Sequence, residues 1–198
     1  MTAKKRAIWV FGDYRNYFQN RVALQLLSRA KELAAKINAE VCAVVFGYKT
    51  DEWTGDVPSY NPAFCGVVGE YIAHGADKVY LADHPRLAAY SMETYTLLME
   101  QLVKREKPEI ILIGATTFGR EFAARVAKRL GTGLTADCIG LDINSEGLLV
   151  QIAPSFGGNL VAEIVTPERR PQMATVRPGT FQEIPHDYVR TGTVVNVP

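Results

Sequence analysis

The chain has 198 residues, with 22 Lys and Arg against 21 Asp and Glu, and 47% of its residues are hydrophobic. This length and composition are typical of one globular domain that buries a sizeable core. The formal net charge of +1 lacks the strong basic bias of a general nucleic-acid binder, so a bulk polyanion is not the expected partner.

The cysteine pattern indicates a reducing compartment. Cys42, Cys65 and Cys138 form no Cys-x-x-Cys pair, and any disulfide would leave an odd thiol. The early apolar run Ala7–Phe11 is too short for a secretory core or a membrane span, and it predicts a first β-strand instead. We therefore expect a protein that is not secreted and has no membrane span.

Up to Gly133 the chain alternates short apolar runs with longer amphipathic stretches, which is the pattern of βαβ units and a parallel sheet. Strands are predicted at 7–11, 41–46, 78–82 and 110–113, and helices at about 19–37, 65–74, 90–107 and 120–131. The segment 48–64 contains Gly55, Pro58 and Pro62 without a usable period, and it is predicted to be a long loop.

After Gly133 the pattern changes to short strands without intervening helices. They are predicted at 135–144, 148–153, 160–165 and 173–176, with turns at 145–147, 157–158 and Pro167. This succession favours antiparallel hairpins at the edge of the parallel sheet or packed beside it. For the loop 155–159, a hairpin turn is favoured over a ligand-binding loop. The tail 178–198 has no amphipathic period, and it is predicted to be a linker or arm that packs against something outside this domain.

The most informative stretch for chemistry is 110–133, which predicts a buried strand, a loop of small and hydroxyl residues, and a helix. In a parallel sheet, ligands bind at the carboxyl ends of strands, where a helix N-terminus offers free N–H groups. The candidate cofactor-binding residues are Gly114, Thr116, Thr117, Gly119 and Arg120, together with Gly12 and Asp13 after the first strand. The stretch contains neither GxGxxG nor GxxxxGK[ST], so plain helix capping by a threonine and a turn role for Asp13 stay open as alternatives.

Other polar residues carry weaker signals. His74, His84 and His186 show no i, i+4 pairing with one another or with cysteine, so neither a metal site nor a catalytic dyad is predicted. Arg177 follows the last predicted strand and could reach an anionic ligand or a partner's carboxylate; an ordinary surface arginine is the alternative.

Several segments together resemble one family. They are the helical stripe 22–37, GATTFGREFAARVAKRLGTGLTADC at 114–138, QIAPSFGGNLVAEI at 151–164 and PQMATVRPGTF at 171–181. In this order and spacing they resemble the α subunit of electron transfer flavoproteins, from Ala7 to about Phe181. The resemblance implies a three-layer, Rossmann-like α/β domain of the adenine nucleotide α-hydrolase type over 1–177, with a parallel sheet and additional C-terminal antiparallel strands.

The resemblance also implies a function. Such an α subunit pairs with a β subunit of similar fold, and the heterodimer uses FAD to carry electrons from dehydrogenases, such as the acyl-CoA dehydrogenases of fatty acid β-oxidation, to a quinone reductase or another acceptor. Some members bifurcate electrons from NADH with a second FAD. The chain would then be an electron-carrier component in the bacterial cytoplasm or the mitochondrial matrix, and not a catalyst acting alone. Arg120, from the GRE motif, and Thr117 match the family's motif after the fourth strand, and Arg177, Pro178 and Phe181 of the closing motif are assigned to the subunit interface.

One departure from the family changes the interpretation. A GGRG-type turn, a GQTG segment and a GISGAIQH segment characterise the family's C-terminal FAD-binding domain, and none of these strings occurs here. The main flavin site is therefore expected outside this chain, and 178–198 is expected to lead toward it. The leading hypothesis is an N-terminal domain that supplies scaffold and β-subunit interface, and the alternative is a stand-alone adenine-nucleotide-binding module. An adenylate-using hydrolase or ligase would need a loop richer in Gly, Ser and Lys.

Overall fold

The computed structural model describes residues 5–52, 66–155, 160–187 and 189–198. The strands are β1 (Ala7–Phe11), β2 (Glu40–Gly47), β3 (Lys78–Asp83), β4 (Ile110–Gly114), β5 (Leu134–Cys138), β6 (Gly140–Ile143), β7 (Leu149–Pro154), β8 (Val161–Ile164), β9 (Gln172–Val176) and β10 (Thr193–Asn196). The helices are α1 (Tyr17–Ile37), α2 (Gly66–Ala73), α3 (Met92–Glu106) and α4 (Thr117–Leu130), with a 3-10 turn at Pro85–Leu87.

Seven strands form one fully parallel sheet in the order β10-β3-β2-β1-β4-β9-β5. The strand order changes direction between β1 and β4, which is the topological switch point where open α/β sheets place ligands. Three further strands form a separate antiparallel sheet in the order β6-β7-β8.

Helices cover both faces of the parallel sheet. Ile8 and Val10 of β1 pack into the core beneath α1 and α2, whereas Trp9 and Phe11 point into the core beneath α3 and α4. All five residues of β1 are buried, as expected for a strand covered on both faces. The predicted three-layer, Rossmann-like α/β domain with additional antiparallel strands is confirmed. No helix in the described ranges is long and apolar enough to cross a membrane.

The helices begin and end where local chemistry favours it. The side chain of Asn16 accepts a hydrogen bond from the Gln19 N–H and caps α1. Helix α3 is capped at its C-terminus by Lys107, which has a left-handed φ of 51° and precedes Pro108. Helix α4 is capped by Gly131, whose φ of 65° is a backbone conformation that glycine adopts without strain.

The C-terminal strands divide between the two sheets. Antiparallel pairing is confirmed for β6, β7 and β8, but it is wrong for the segments 135–138 and 173–176, because β5 and β9 pair in parallel with each other and β9 also pairs in parallel with β4. All of β9 is buried, which is typical of an internal strand of a parallel sheet. The single strand predicted at 135–144 is two strands in different sheets, because β5 ends at Cys138 beside β9 and β6 begins at Gly140 beside β7. Most of the predicted loop 48–64 and the turn at 157–158 lie outside the described residues.

The tail lies against the same domain. The Ile184 N–H donates to Ser28 Oγ (2.9 Å), the Asp187 N–H donates to the Ala73 carbonyl (2.9 Å), and β10 pairs with β3 at the end of the sheet. The expectation that this segment packs against something outside the domain is therefore wrong for these contacts, and β10 is an exposed edge strand of only four residues, too short a pattern to predict from sequence. Its extension toward a further domain stays a prediction.

Candidate functional site

The predicted site residues lie together at the carboxyl edge of the sheet. Strands β1 and β4 pair in parallel, with Val10 opposite Leu112, so the segment beginning at Gly12 and the segment beginning at Gly114 leave the sheet side by side. This is the edge that the sequence predicts. A cofactor-binding role for these residues stays a prediction, and the contacts below show what each one does within the domain.

The space between the two segments is very small. The cavity that Asp13, Val22, Gly114 and Phe118 help to line measures about 10 Å³, roughly the room that one water needs. A Cβ atom on Gly114 would lie 2.6 Å from Cγ1 of Val22, so this glycine allows α1 to pack closely on β4. Neither an adenine ring nor an isoalloxazine ring fits in this cavity.

Asp13 is satisfied by a neighbour in the same loop. Its carboxylate accepts hydrogen bonds from Nε and Nη2 of Arg15, both at 2.7 Å, and the residue is 9% exposed. Burial lowers the pKa of Arg15 and the hydrogen bonds to Asp13 raise it, with a net rise. The guanidinium lies 3.8 Å from the ring centroid of Phe118 and 4.9 Å from that of Tyr90, which are cation–π distances. The Asp13 carboxylate is thus used to orient Arg15 over two aromatic rings.

Helix α4 is capped by one of its two candidate threonines. Oγ1 of Thr116 accepts a hydrogen bond from the Gly119 N–H (3.0 Å), which favours the capping alternative for this residue. Thr117 and Arg120 are exposed on the first turn of α4. They line an open surface groove of about 330 Å³, to which Phe18 and Pro178 also contribute.

The predicted interface residues are in three different situations. Arg177 forms an ion pair with Asp137 across the ends of β9 and β5, with Nη2 and Oδ2 2.6 Å apart. Pro178 is half-buried at the wall of the surface groove. Phe181 packs against the core beneath α1, and the Arg29 guanidinium lies 5.3 Å from its ring centroid. Phe181 therefore contributes to this domain's own packing.

Two buried polar groups near this edge were missed by sequence reasoning. Asn20 is 2% exposed, and its Nδ2 donates to Oε2 of Glu70 at 2.8 Å. Burial raises the pKa of the Glu70 carboxyl, which Asn20 partly offsets. The Tyr71 hydroxyl is also buried and has no hydrogen-bond partner among the described residues. The sequence carries no signal for these contacts, because polar residues in a helix, such as Asn20 and Glu70, are ordinarily expected on its solvent-exposed face.

His74 directly follows α2 and lies in the interior of the domain. The residue is fully buried, its Nδ1 lies 2.8 Å from the Glu70 carbonyl oxygen, and its ring centroid lies 4.1 Å from that of His186. Burial lowers the pKa of His74 to about 4. Within the described parts of the chain, no group of three His, Cys, Asp or Glu side chains is placed to hold a metal ion.

Comparisons with known proteins agree with this architecture. The family described as electron transfer flavoprotein domain matches residues 8–198. The chain is 44% identical to the electron transfer flavoprotein subunit alpha of Thermoanaerobacterium thermosaccharolyticum over 188 residues, which are 95% of this chain and 53% of that protein. It is 44% identical to the corresponding subunit of Clostridium acetobutylicum over 184 residues, which are 92% and 51% of the two chains. It is 38% identical to protein FixB of Clostridium saccharobutylicum over 186 residues, which are 93% of this chain and 51% of that protein.

The chain spans about half the length of the curated relatives it matches. The family match nonetheless extends over residues 8–198, which include all four helices and, apart from Ala7, all strands of the parallel sheet. The chain therefore belongs to the electron transfer flavoprotein domain family.

Proposed function

We propose that this chain provides the scaffold and the β-subunit interface of an electron transfer flavoprotein α subunit, and that the redox chemistry takes place on FAD held by other residues. Relatives that carry the α-subunit name match it over 92% and 95% of its length, which supports the assignment. Electrons would pass from dehydrogenases, of which acyl-CoA dehydrogenases are one class, to a quinone reductase or another acceptor. The compartment would be the bacterial cytoplasm or the mitochondrial matrix.

One observation carries this proposal. The cavity at the switch point between β1 and β4 measures about 10 Å³, and the polar groups around it are engaged with one another. The Asp13 carboxylate accepts two hydrogen bonds from Arg15, and Thr116 Oγ1 accepts one from the Gly119 N–H, so both side chains have a structural role within the domain. FAD supplies one- and two-electron chemistry when bound, but the described residues at this edge do not fit it.

The chain itself would then supply a rigid scaffold and a binding surface for the partner subunit. The all-parallel sheet is covered by helices on both faces, and the described part of the tail contacts Ser28 of α1 and Ala73 of α2 and joins the sheet as β10. Such a domain can hold a partner chain in a fixed position. It does not need to change its own covalent state in the process.

The direct test is to mix the purified chain with the electron transfer flavoprotein β subunit of its own source organism and FAD. We expect a one-to-one heterodimer by light scattering, whereas the lone chain should show no visible flavin absorbance after desalting. Failure to form a heterodimer would contradict the proposal. Stoichiometric FAD on the lone chain would contradict the claim that the flavin is held elsewhere.

A second candidate is a stand-alone adenine-nucleotide-binding module. The observation that favours it is the open groove of about 330 Å³ beside the first turn of α4, where Thr117 and the cationic Arg120 are exposed. Calorimetric titration with AMP, ATP and FAD tests this candidate, with Arg120→Ala as the disrupting variant. Arg125→Ala is the matched control, because Arg125 is an exposed arginine of the same helix outside the groove. Binding that is weakened only by Arg120→Ala supports the module, and no binding by the unmodified chain rejects it.

A further inference from the structure

A short segment between β9 and β10, residues 183–187, is attached to both α1 and α2, and we call it the strap. Near its start, the Ile184 N–H donates to Ser28 Oγ of α1 at 2.9 Å. At its end, the Asp187 N–H donates to the carbonyl of Ala73, the last residue of α2, at 2.9 Å. None of its five residues belongs to a helix or a strand, so the strap can lift away without breaking a regular element.

The strap places one histidine against another that is buried. The ring centroids of His186 and His74 are 4.1 Å apart, with an interplanar angle of 67°. His74 directly follows α2 and is 0% exposed. Its Nδ1 lies 2.8 Å from the Glu70 carbonyl oxygen, and because a carbonyl oxygen only accepts hydrogen bonds, Nδ1 carries the hydrogen. The other ring nitrogen, Nε2, is therefore the acceptor of a neutral imidazole.

Nε2 of His74 is a buried acceptor that has no hydrogen-bond partner in the described part of the chain. A neutral ring tolerates this at a modest cost, whereas a protonated ring would bury an unpaired N–H donor and a positive charge. Burial is the main cause that lowers the pKa of His74 to about 4; His186 and Arg21 act in the same direction, and the hydrogen bond to the Glu70 carbonyl opposes them. The closed strap therefore favours the neutral ring.

The carboxylates near His74 are engaged with other groups. The Glu70 carboxyl accepts a hydrogen bond from Asn20 at 2.8 Å, and Glu183 of the strap forms an ion pair with Arg21 at 2.8 Å. The charged and titratable groups on the elements around His74 are Arg21 and Lys31 of α1, Glu70 of α2, Asp77 and Arg190 beside Gly75, and Glu183, His186 and Asp187 of the strap. Among the described residues, none of these groups accepts a hydrogen bond from Nε2, so a proton there is best accommodated by contact with water.

We propose that the strap is a proton-sensitive element, which is closed over neutral His74 and opens when His74 takes up a proton. Opening would separate the His186 ring from His74, let water reach Nε2, and uncover the surface of α1 and α2 around Ser28 and Ala73. The parallel sheet would stay folded. This inference is independent of the proposed function, because it concerns contacts within the chain.

Proton uptake by His74 would make the opening strongly dependent on pH. In the open form a hydrated His74 would have the ordinary pKa of about 6.5, compared with about 4 in the closed form. The open form therefore binds more protons between these pH values, so the strap is fully closed above about pH 6.5 and the closed form weakens as the pH falls toward 4. Burial raises the pKa of Glu70, and hydration of Glu70 on opening would act in the opposite direction and reduce the effect.

The test measures hydrogen exchange of the Ile184 and Asp187 amides by NMR at a series of pH values and fixed ionic strength, with the rates corrected for intrinsic exchange. In the unmodified chain, the protection of both amides should fall about thirtyfold between about pH 6.5 and about pH 4.5, while the amides of β1 keep theirs. His74→Phe keeps a ring against His186 and removes the titrating group, so protection of the strap should no longer depend on pH. His186→Phe is the matched control, because it keeps the ring contact and leaves His74 to titrate. Its strap should still open in acid.

A second measurement needs no variant. NMR titration of the His74 ring in the unmodified chain should show proton uptake over the same pH range in which the strap loses protection. Protonation of His74 while the strap stays protected would overturn the inference, and so would acid opening that persists in His74→Phe. Simultaneous loss of protection in the strap and in β1 would indicate global unfolding and would overturn it as well. The proposed function stands in each of these cases, since heterodimer formation tests it separately.

Discussion

A Cβ atom on Gly119 would lie 1.9 Å from the carbonyl oxygen of Gly114, so the first turn of α4 is in direct backbone contact with the end of β4. Both glycines belong to the segment that sequence reasoning assigned to cofactor binding. In the structure the absence of a side chain at position 119 allows close packing of a helix on a strand, and this packing closes the cavity at the switch point.

The first prediction follows from that contact. Gly119→Ala should lower the free energy of unfolding by about 3 kcal/mol, because the obstructing atom is backbone and cannot rotate away. Gly133→Ala is the matched control, since its added Cβ would meet Thr166 Oγ1 at an ordinary 3.5 Å and should change stability little. Urea denaturation of both variants checks the prediction. Equal midpoints for the two variants would show that α4 can shift without cost.

The second prediction concerns Asp13 and Arg15. A double-mutant cycle with Asp13→Asn and Arg15→Met should give a coupling energy of about 1 to 2 kcal/mol, because the carboxylate is nearly buried and the contact is bidentate. The ion pair between Arg125 and Glu121 is the control. It is a single 3.4 Å contact between exposed side chains four residues apart, and should couple by about 0.3 to 0.5 kcal/mol. Similar coupling in both cycles would reject a special role for Arg15.

The sequence predicted the parallel part of the fold because each strand there is a continuous apolar run and each helix a stripe of apolar residues. It also placed Gly12 and Gly114 at one edge, since parallel strands end together. The direction and position of β9 in the sheet could not be predicted, because a short buried strand has the same apolar pattern whether its neighbours are parallel or antiparallel. The contact between Gly119 and Gly114 could not be predicted either, since a single sequence does not distinguish a glycine needed for packing from one needed for a ligand.

The contacts between polar residues at the candidate site also could not be predicted from local sequence patterns. Asp13 and Arg15 are two positions apart, and their bidentate contact depends on a loop conformation that no periodicity specifies. The pairing of Asn20 with Glu70 depends on the packing of α1 against α2, 50 residues apart along the chain. Local patterns predict elements, whereas these contacts arise from how the elements pack.

The third prediction is a pH dependence of stability that originates at His74. Its pKa is about 4 in the folded protein, compared with about 6.5 in an unfolded chain. The unfolded state therefore binds more protons than the folded state between these pH values. The contribution of neutral His74 to the free energy of unfolding is complete above about pH 6.5, and about 3 kcal/mol of it is lost as the pH falls to 4. Glu70 has a raised pKa and acts in the opposite direction, so the comparison must be with a variant that lacks only His74.

His74→Phe is that variant, because it keeps a ring against His186 and removes the titrating group. The slope of the unfolding free energy against pH between 4 and 6.5 should become shallower than in the unmodified protein, measured by urea denaturation at fixed ionic strength. His84→Asn is the control, since His84 is exposed and asparagine retains an acceptor for the Arg86 N–H. An unchanged slope in His74→Phe would show that another group controls acid stability.

The last prediction concerns the tail. Val197 donates its N–H to the Leu81 carbonyl at 2.7 Å, and Thr193 donates to the Asp77 carbonyl at 3.0 Å, so amides of the segment 193–197 should exchange much more slowly than those of an unstructured chain. Hydrogen exchange with mass spectrometry measures this directly. Arg190→Ala removes the ion pair with Asp77 and should speed exchange of 193–197 without changing that of β1. Exchange of 193–197 at the unstructured rate in the unmodified chain would contradict the pairing of β10 with β3 and restore the interpretation of a free arm.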